Sequence, residues 1–194
     1  MPKKKYTGLI VGALVIFLGI YLVVTYNSLV KKEERVKKQW AEVQSTYQRR
    51  LDLVPNLVGV VKGVSGFEQS TLEGIATARS RALAGKSSVV TAENINEQQR
   101  LQDSLATAAN RMIMVIENYP VLKGTAAYSG LQTQLEGTER RIKVARNDFN
   151  EAVADYNTAV RSGSAVLVAN LFGFKPMEGF QAVAGAENAV EIKF

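Results

Sequence analysis

Residues 128–160 read YSGLQTQLEGTERRIKVARNDFNEAVADYNTAV. Within them Tyr128, Leu131, Leu135, Thr138, Ile142, Ala145, Phe149, Ala152, Tyr156 and Val160 fall three or four residues apart. That spacing puts all of them on one face of a helix. Thr138 alone interrupts an apolar or aromatic seam about 50 Å long at 1.5 Å rise per residue. A seam this narrow does not hold a helix together in water; partner helices must cover it. The rest of the chain is therefore expected to supply helices, and the fold class to be all-α.

Working back from the seam, Val121-Leu122-Lys123-Gly124 is a short connection after Tyr119-Pro120. Before it, Ile95, Leu101, Leu105, Ala108, Met112, Val115 and Ile116 give one apolar face, starting at Thr91 or Asn94. Gly85-Lys86-Ser87-Ser88 reads as a polar loop. Leu57, Val60, Val61, Val64, Phe67, Leu72, Ile75, Ala78 and Ala82 carry another helix. Asp52 is its expected N-cap and Pro55 lies in its first turn, a kink without a break being the alternative. Val36, Trp40, Val43, Tyr47 and Leu51 form the first face, continuing without a break from Tyr26-Asn27. Long helices joined by short connectors predict an up-down-up-down antiparallel four-helix bundle over residues 27–162.

The first residues have a different character. After a basic tail, 1–6, the residues Thr7 to Tyr26 are uncharged, and twelve of the twenty are Leu, Ile, Val or Phe. That length fits a bilayer-spanning helix. Such residues contribute about −0.3 to −0.6 kcal/mol each near a helix centre, several kcal/mol together. The apolar run is too long for a signal peptide, and no A-x-A-like site follows Tyr26. An uncleaved anchor over 7–26 is expected. Gly8 and Gly12, with Gly19 near the same face, offer a surface for self-association in the membrane, although glycine is common in such helices.

The net charge of +6 sits mainly around that run: Lys3, Lys4 and Lys5 on one side, Lys31, Lys32, Arg35, Lys37 and Lys38 on the other. Phospholipid headgroups account for this pattern, and nucleic acid is not expected as a partner. The three N-terminal lysines favour a cytoplasmic tail, and long domains translocate largely regardless of charge. The bundle is thus expected on the periplasmic or external side of a bacterial inner membrane.

Chemistry is sparse. With no cysteine and no histidine, there is no disulfide, thiolate zinc site, cysteine nucleophile, Ser-His-Asp triad or His-ligated metal. Glu136 and Glu139 have E-x-x-E spacing, but di-metal bundles pair their glutamates with histidines at i+3. A surface ion pair of Glu139 with Lys143, one turn on, is the expected role. No catalytic residue, cofactor or metal site is assigned. Phe149-Asn150 and Tyr156-Asn157 repeat an aromatic-Asn pair seven residues apart, and Tyr26-Asn27 repeats it once more. Asn27, Glu139, Arg146, Asn150 and Asn157 are therefore read as seam-edge residues that specify register or partner, with ligand binding as the alternative.

Past Arg161 glycines punctuate the segment 163–194, which is expected to be irregular or β-like; Val190-Glu191-Ile192-Lys193-Phe194 alternates like a strand. The segment either folds back over the end of the bundle or forms an oligomer interface through Val166, Leu167, Val168, Leu171 and Phe172.

Several of these pieces together resemble the LemA family. They are Arg49-Arg50-Leu51-Asp52-Leu53-Val54-Pro55-Asn56-Leu57-Val58 with Val61-Lys62-Gly63, then Ala78-Arg79 and Glu117-Asn118-Tyr119-Pro120-Val121-Leu122-Lys123. Thr138-Glu139, Ile142, Ala145-Arg146, Phe149-Asn150, Val153 and Tyr156-Asn157 follow, and Tyr26-Asn27-Ser28-Leu29-Val30 and Trp40 fit as well. The likeness covers about residues 6–162. Phe67 stands before Glu68 where a histidine is common, Val121 replaces an acidic residue and Phe149 a tyrosine. The resemblance implies a bacterial single-pass membrane protein with a helical bundle, in a context of envelope stress or membrane quality control; it supplies no activity. The expected function is a self-associating, membrane-anchored scaffold or adaptor that binds envelope proteins or lipid. The alternative is a ligand-sensing bundle that signals through a membrane partner.

Overall fold

The computed structural model describes residues 3–62 and 67–181, with the backbone alone for residues 3–7. Its regular structure among the described residues is entirely helical: α1 (Lys3–Val61), α2 (Gln69–Ala84), α3 (Ala92–Ile116), the single turn α4 (Pro120–Lys123), α5 (Ala126–Arg161) and α6 (Ala165–Phe172). All ten seam residues of α5 are buried, together with Val153. The starts of α3 and α5 follow from their caps. Thr91 accepts a hydrogen bond from the Asn94 amide at 3.2 Å, and Thr125 accepts one from the Tyr128 amide at 3.2 Å.

The expected helix restart at Asp52 does not occur. α1 is one helix of 59 residues with Pro55 inside it. Proline in a helix interior removes a hydrogen bond and leaves the carbonyl four residues back without its donor. Here that carbonyl belongs to Leu51, and Arg79 Nε of α2 donates to it at 3.1 Å. A side chain 28 residues away thus replaces the missing amide, and the helix runs on for six residues beyond Pro55. Leu57 to Val61 therefore close α1 rather than opening the next helix, and Phe67 precedes α2 outside any helix. Val64 lies outside the described residues.

α1 and α5 pair antiparallel along most of α5. Arg50 meets Glu139, Trp40 meets Phe149, and Arg35 meets Asp155, the partner number falling as the α1 number rises. α2 and α3 form a second antiparallel pair, with Gly85 against Leu101 at one end and Thr71 beside Arg111 at the other. A Cβ on Gly85 would meet Leu101 Cδ1 at 2.1 Å, so the hairpin closes here with the Leu101 side chain laid directly over the glycine. The core divides into two clusters. The one farther from the uncharged stretch gathers mainly aliphatic residues of α1, α2, α3 and α5, among them Leu51, Leu57, Ile75, Leu105, Met112 and Leu135. The other packs Trp40, Tyr47, Phe149 and Tyr156 between α1 and α5, with Ile95 of α3 and Val168 and Ala169 of α6.

Residues 165–172, expected to be irregular, form α6. Gly173 ends it at φ 78°, the left-handed position that favours glycine. Residues 174–181 follow without regular structure. The strand expected at 190–194 lies outside the described residues. At the other end of the molecule, α1 holds one stretch apolar and long enough to cross a membrane, and none of it is buried by the rest of the protein.

Candidate functional site

A polar layer separates the two core clusters. Arg50 is buried, and its guanidinium donates to Glu139 Oε1 at 2.8 Å and to Glu139 Oε2, to the Gln102 carbonyl at 3.0 Å, and to Gln102 Oε1 at 3.1 Å. The pairing expected between Glu139 and Lys143 is replaced by this ion pair to α1. A guanidinium fork satisfied on several sides is what a buried cation requires. Two turns along α5 from Glu139, Arg146 donates to the Tyr47 hydroxyl and to Asp103, both at 2.9 Å. Burial raises the Tyr47 pKa, with Arg146 and Arg50 opposing it. For Arg146, burial acts downward and is outweighed by Tyr47 and Asp103, so its pKa is raised and the cation is held. Around Arg50, Asp103, Glu139, Lys143 and Arg146 the surface opens into a cleft of about 210 Å³. No group of three or more metal-ligating side chains occurs among the described residues.

The second feature is a pair of asparagine clamps. Asn157 Nδ2 donates to the Met177 carbonyl at 2.8 Å, while the Met177 amide donates to Asn157 Oδ1 at 2.8 Å. Asn150 repeats this with Phe180: Nδ2 to its carbonyl at 3.1 Å, its amide to Oδ1 at 2.8 Å. Each carboxamide thus engages both backbone groups of one tail residue, as a neighbouring strand would. The spacings agree. Seven residues of helix rise about 10.5 Å, and three residues of extended chain span about 10 Å. Between the clamps the chain approaches α5 closely, since a Cβ on Gly179 would lie 2.5 Å from Asn150 Oδ1. The Phe180 ring packs on Trp40 and Phe149 with centroids 5.9 and 5.5 Å apart, and Arg146 stands 5.1 Å over its face.

The aromatic-Asn repeat now has a physical account. Phe149 and Tyr156 point into the core, and the asparagine after each stands at the seam edge, facing the tail. The third copy behaves differently. The Tyr26 ring meets Phe172 and Phe174 at 4.8 and 5.6 Å, but Asn27 is exposed and has no partner among the described residues. Reading the sequence missed Arg50, Gln102, Tyr47 and Asp103, whose only local sign was a basic residue near an otherwise apolar face.

The third feature is the junction with the apolar rod. α6 packs on α1 and α5, burying Val168 and half-burying Val166, so neither belongs to a free interface. Leu167, Leu171 and Phe172 are exposed. Tyr21 Oη and Ser164 Oγ lie 2.5 Å apart, tying the start of α6 to α1. Gly8, Gly12 and Gly19 have nothing within 4 Å of the position a Cβ would take. That surface is open.

A family model, that of the LemA family, matches residues 39–194. Magnetosome protein MamQ of Magnetospirillum gryphiswaldense is 25% identical over 198 residues, covering 92% of this chain and 72% of that protein. Magnetosome protein MamQ 2 of Paramagnetospirillum magneticum is 26% identical over 179 residues, covering 82% of this chain and 66% of that protein.

Proposed function

The chain belongs to the LemA family, and from that premise we propose that it is a non-catalytic, membrane-anchored helical scaffold that binds envelope proteins or its own copies. One observation carries the reading. A bilayer-length apolar stretch, none of which is buried in the protein, continues inside one unbroken helix into the buried strip that packs on α5. Anchor and domain are therefore a single rigid part, and what the domain presents to its surroundings is surface. The antiparallel pairing of α1 with α5 and of α2 with α3 supports an up-down-up-down four-helix arrangement for its distal part. The named relatives carry no enzyme name, in line with an interaction role. Envelope stress or membrane quality control is the setting the family suggests, and the three N-terminal lysines favour a periplasmic or external domain.

Sizing the full chain in detergent tests self-association. The open face of Gly8, Gly12 and Gly19 is its proposed seat, because small residues let spanning helices approach closely. The oligomer is expected to fall to a monomer in Gly8→Ile/Gly12→Ile. A wild-type chain that is strictly monomeric sinks this part of the proposal. A reporter fused after Phe194 that is active only in the cytoplasm would overturn the external placement.

A further inference from the structure

We propose that α6 is a second membrane element, seated at the headgroup–acyl boundary of the same bilayer that α1 crosses. The inference rests on the anchor reading and adds a lipid-facing surface that the sequence does not assign. α5 runs back along α1 towards the apolar rod, and the turn after it passes the end of the uncharged stretch. Ser164 reaches the level of Tyr21, and eight residues later Phe172 stacks on Tyr26. The whole of α6 therefore lies beside the last turns of the uncharged stretch, between two tyrosines. Tyrosines of this kind mark the membrane–water interface of spanning helices.

Of its eight residues, AVLVANLF, only Asn170 is polar. One face, with Val168 and Ala169, is buried in the protein. The opposite side leaves Leu167 and Leu171 70% exposed, with Asn170 also exposed between them, while Phe172, on the α1 side beside Tyr26, is 51% exposed. In water that would be an unexplained apolar patch. It stands instead at the level of the exposed Val23 and Val24 of α1, which lie between Tyr21 and Tyr26, side chains that the anchor reading already gives to lipid.

Charge sets the depth. Arg161, immediately before the turn, and Lys175, just after Gly173, are both exposed and flank α6 on the bundle side. Arg161 lies six residues beyond Asp155, which pairs with Arg35, so the antiparallel register places it level with about residue 29 of α1. Lys31 and Lys32 stand at nearly the same height. The acidic residues begin at the outer edge of this band: Glu33, which shares a cleft with Lys175, and Glu34 both pair with Lys37, and Glu178 follows Met177, which the Asn157 clamp holds. An apolar layer at residues 17–26 beneath a band of four cations matches acyl chains beneath anionic headgroups.

The chain has no cysteine, so single nitroxide labels can be placed at will. Full-length Leu167→Cys and Leu171→Cys, labelled and reconstituted in phosphatidylcholine–phosphatidylglycerol vesicles, are read for relaxation by oxygen and by a water-soluble nickel chelate. Val15→Cys marks the span and Val144→Cys the domain surface. Both α6 labels are expected to lose most of the nickel effect seen at Val144 while keeping oxygen accessibility, at a depth shallower than Val15. Nickel accessibility equal to Val144, with Val15 protected, overturns the inference and leaves the anchor standing. A Val15 label open to nickel overturns the anchor itself. Labels at 167 and 171 shielded from both reagents mean that a protein surface, such as a second copy, covers α6, and also overturn it.

Discussion

The same two helices, α1 and α5, are covered in two different ways along their length. In the distal half the α2–α3 hairpin lies over them, and the core is mainly aliphatic, leucines, isoleucines and Met112 fitted between helices, with Tyr128 its one fully buried ring. In the proximal half the hairpin gives only Ile95 and its connecting loop, where Val90 packs on the cluster and the Ser87 carbonyl accepts from the Trp40 indole, and the rest of the cover is α6 with the extended segment Phe174, Met177 and Phe180. The core there is aromatic, with Trp40, Tyr47, Phe149 and Tyr156. The difference follows from what each cover can do. A helix satisfies its own backbone and contributes side chains only. An extended segment arrives with unsatisfied amides and carbonyls, and α5 must answer them, which Asn150 and Asn157 do. Arg50 and Arg146, with their partners, lie where one kind of cover gives way to the other.

The contrast can be broken most directly in the aromatic half. Phe149→Ala removes a ring that touches Trp40 and Phe180 at once. It should cost about 3–5 kcal/mol, the range for emptying such a site, with hydrogen-exchange protection falling first in residues 142–160 and later in 128–135. Equal loss along the whole of α5 would show that the two halves are one cooperative unit. Glu139→Ala, at the boundary, leaves Arg50 buried without its carboxylate. Since Glu139 is itself half in water, the expected loss is about 2–3 kcal/mol, below the range for a fully buried pair, read from denaturant midpoints. Arg79→Ala strips the Leu51 carbonyl of its donor in the distal half; about 2 kcal/mol is expected, with α1 fraying beyond Pro55 while the tail stays clamped. The smallest effect belongs to the clamps. Asn157→Ala should cost about 1 kcal/mol and loosen residues 174–181 with little change in the distal core. Gly179→Ala should loosen the same segment by crowding Asn150. Protease nicking between 173 and 181 reads both, and a segment as protected as in the parent chain would show that the rings alone hold it.

What could be read in advance divides along the same line. The seam of α5 was legible because helix packing repeats at a fixed period, and each of its ten positions proved buried. The apolar rod was legible from length and composition. The proximal cover was not, because the clamps grip the backbone of Met177 and Phe180, and backbone groups leave no mark on a sequence. Asn150 and Asn157 were visible as a repeat, but nothing local said what they held. Pro55 misled for a related reason. The rule that proline ends or kinks a helix is local, whereas Arg79, which supplies the missing donor, comes from another helix. Glu139 likewise chose a distant cation over the neighbour one turn away.

The unbroken course of α1 also has a mechanical consequence. From Asn27 to Val54, before the proline, it extends about 42 Å beyond the uncharged stretch that the proposed function gives to lipid, at 1.5 Å per residue. A change of about 20° in tilt, within the ordinary range for spanning helices, swings its far end sideways by roughly 14 Å. Bilayer thickness would then be written into the position of the α2–α3 hairpin, with the domain acting as the pointer of a gauge whose pivot is the membrane.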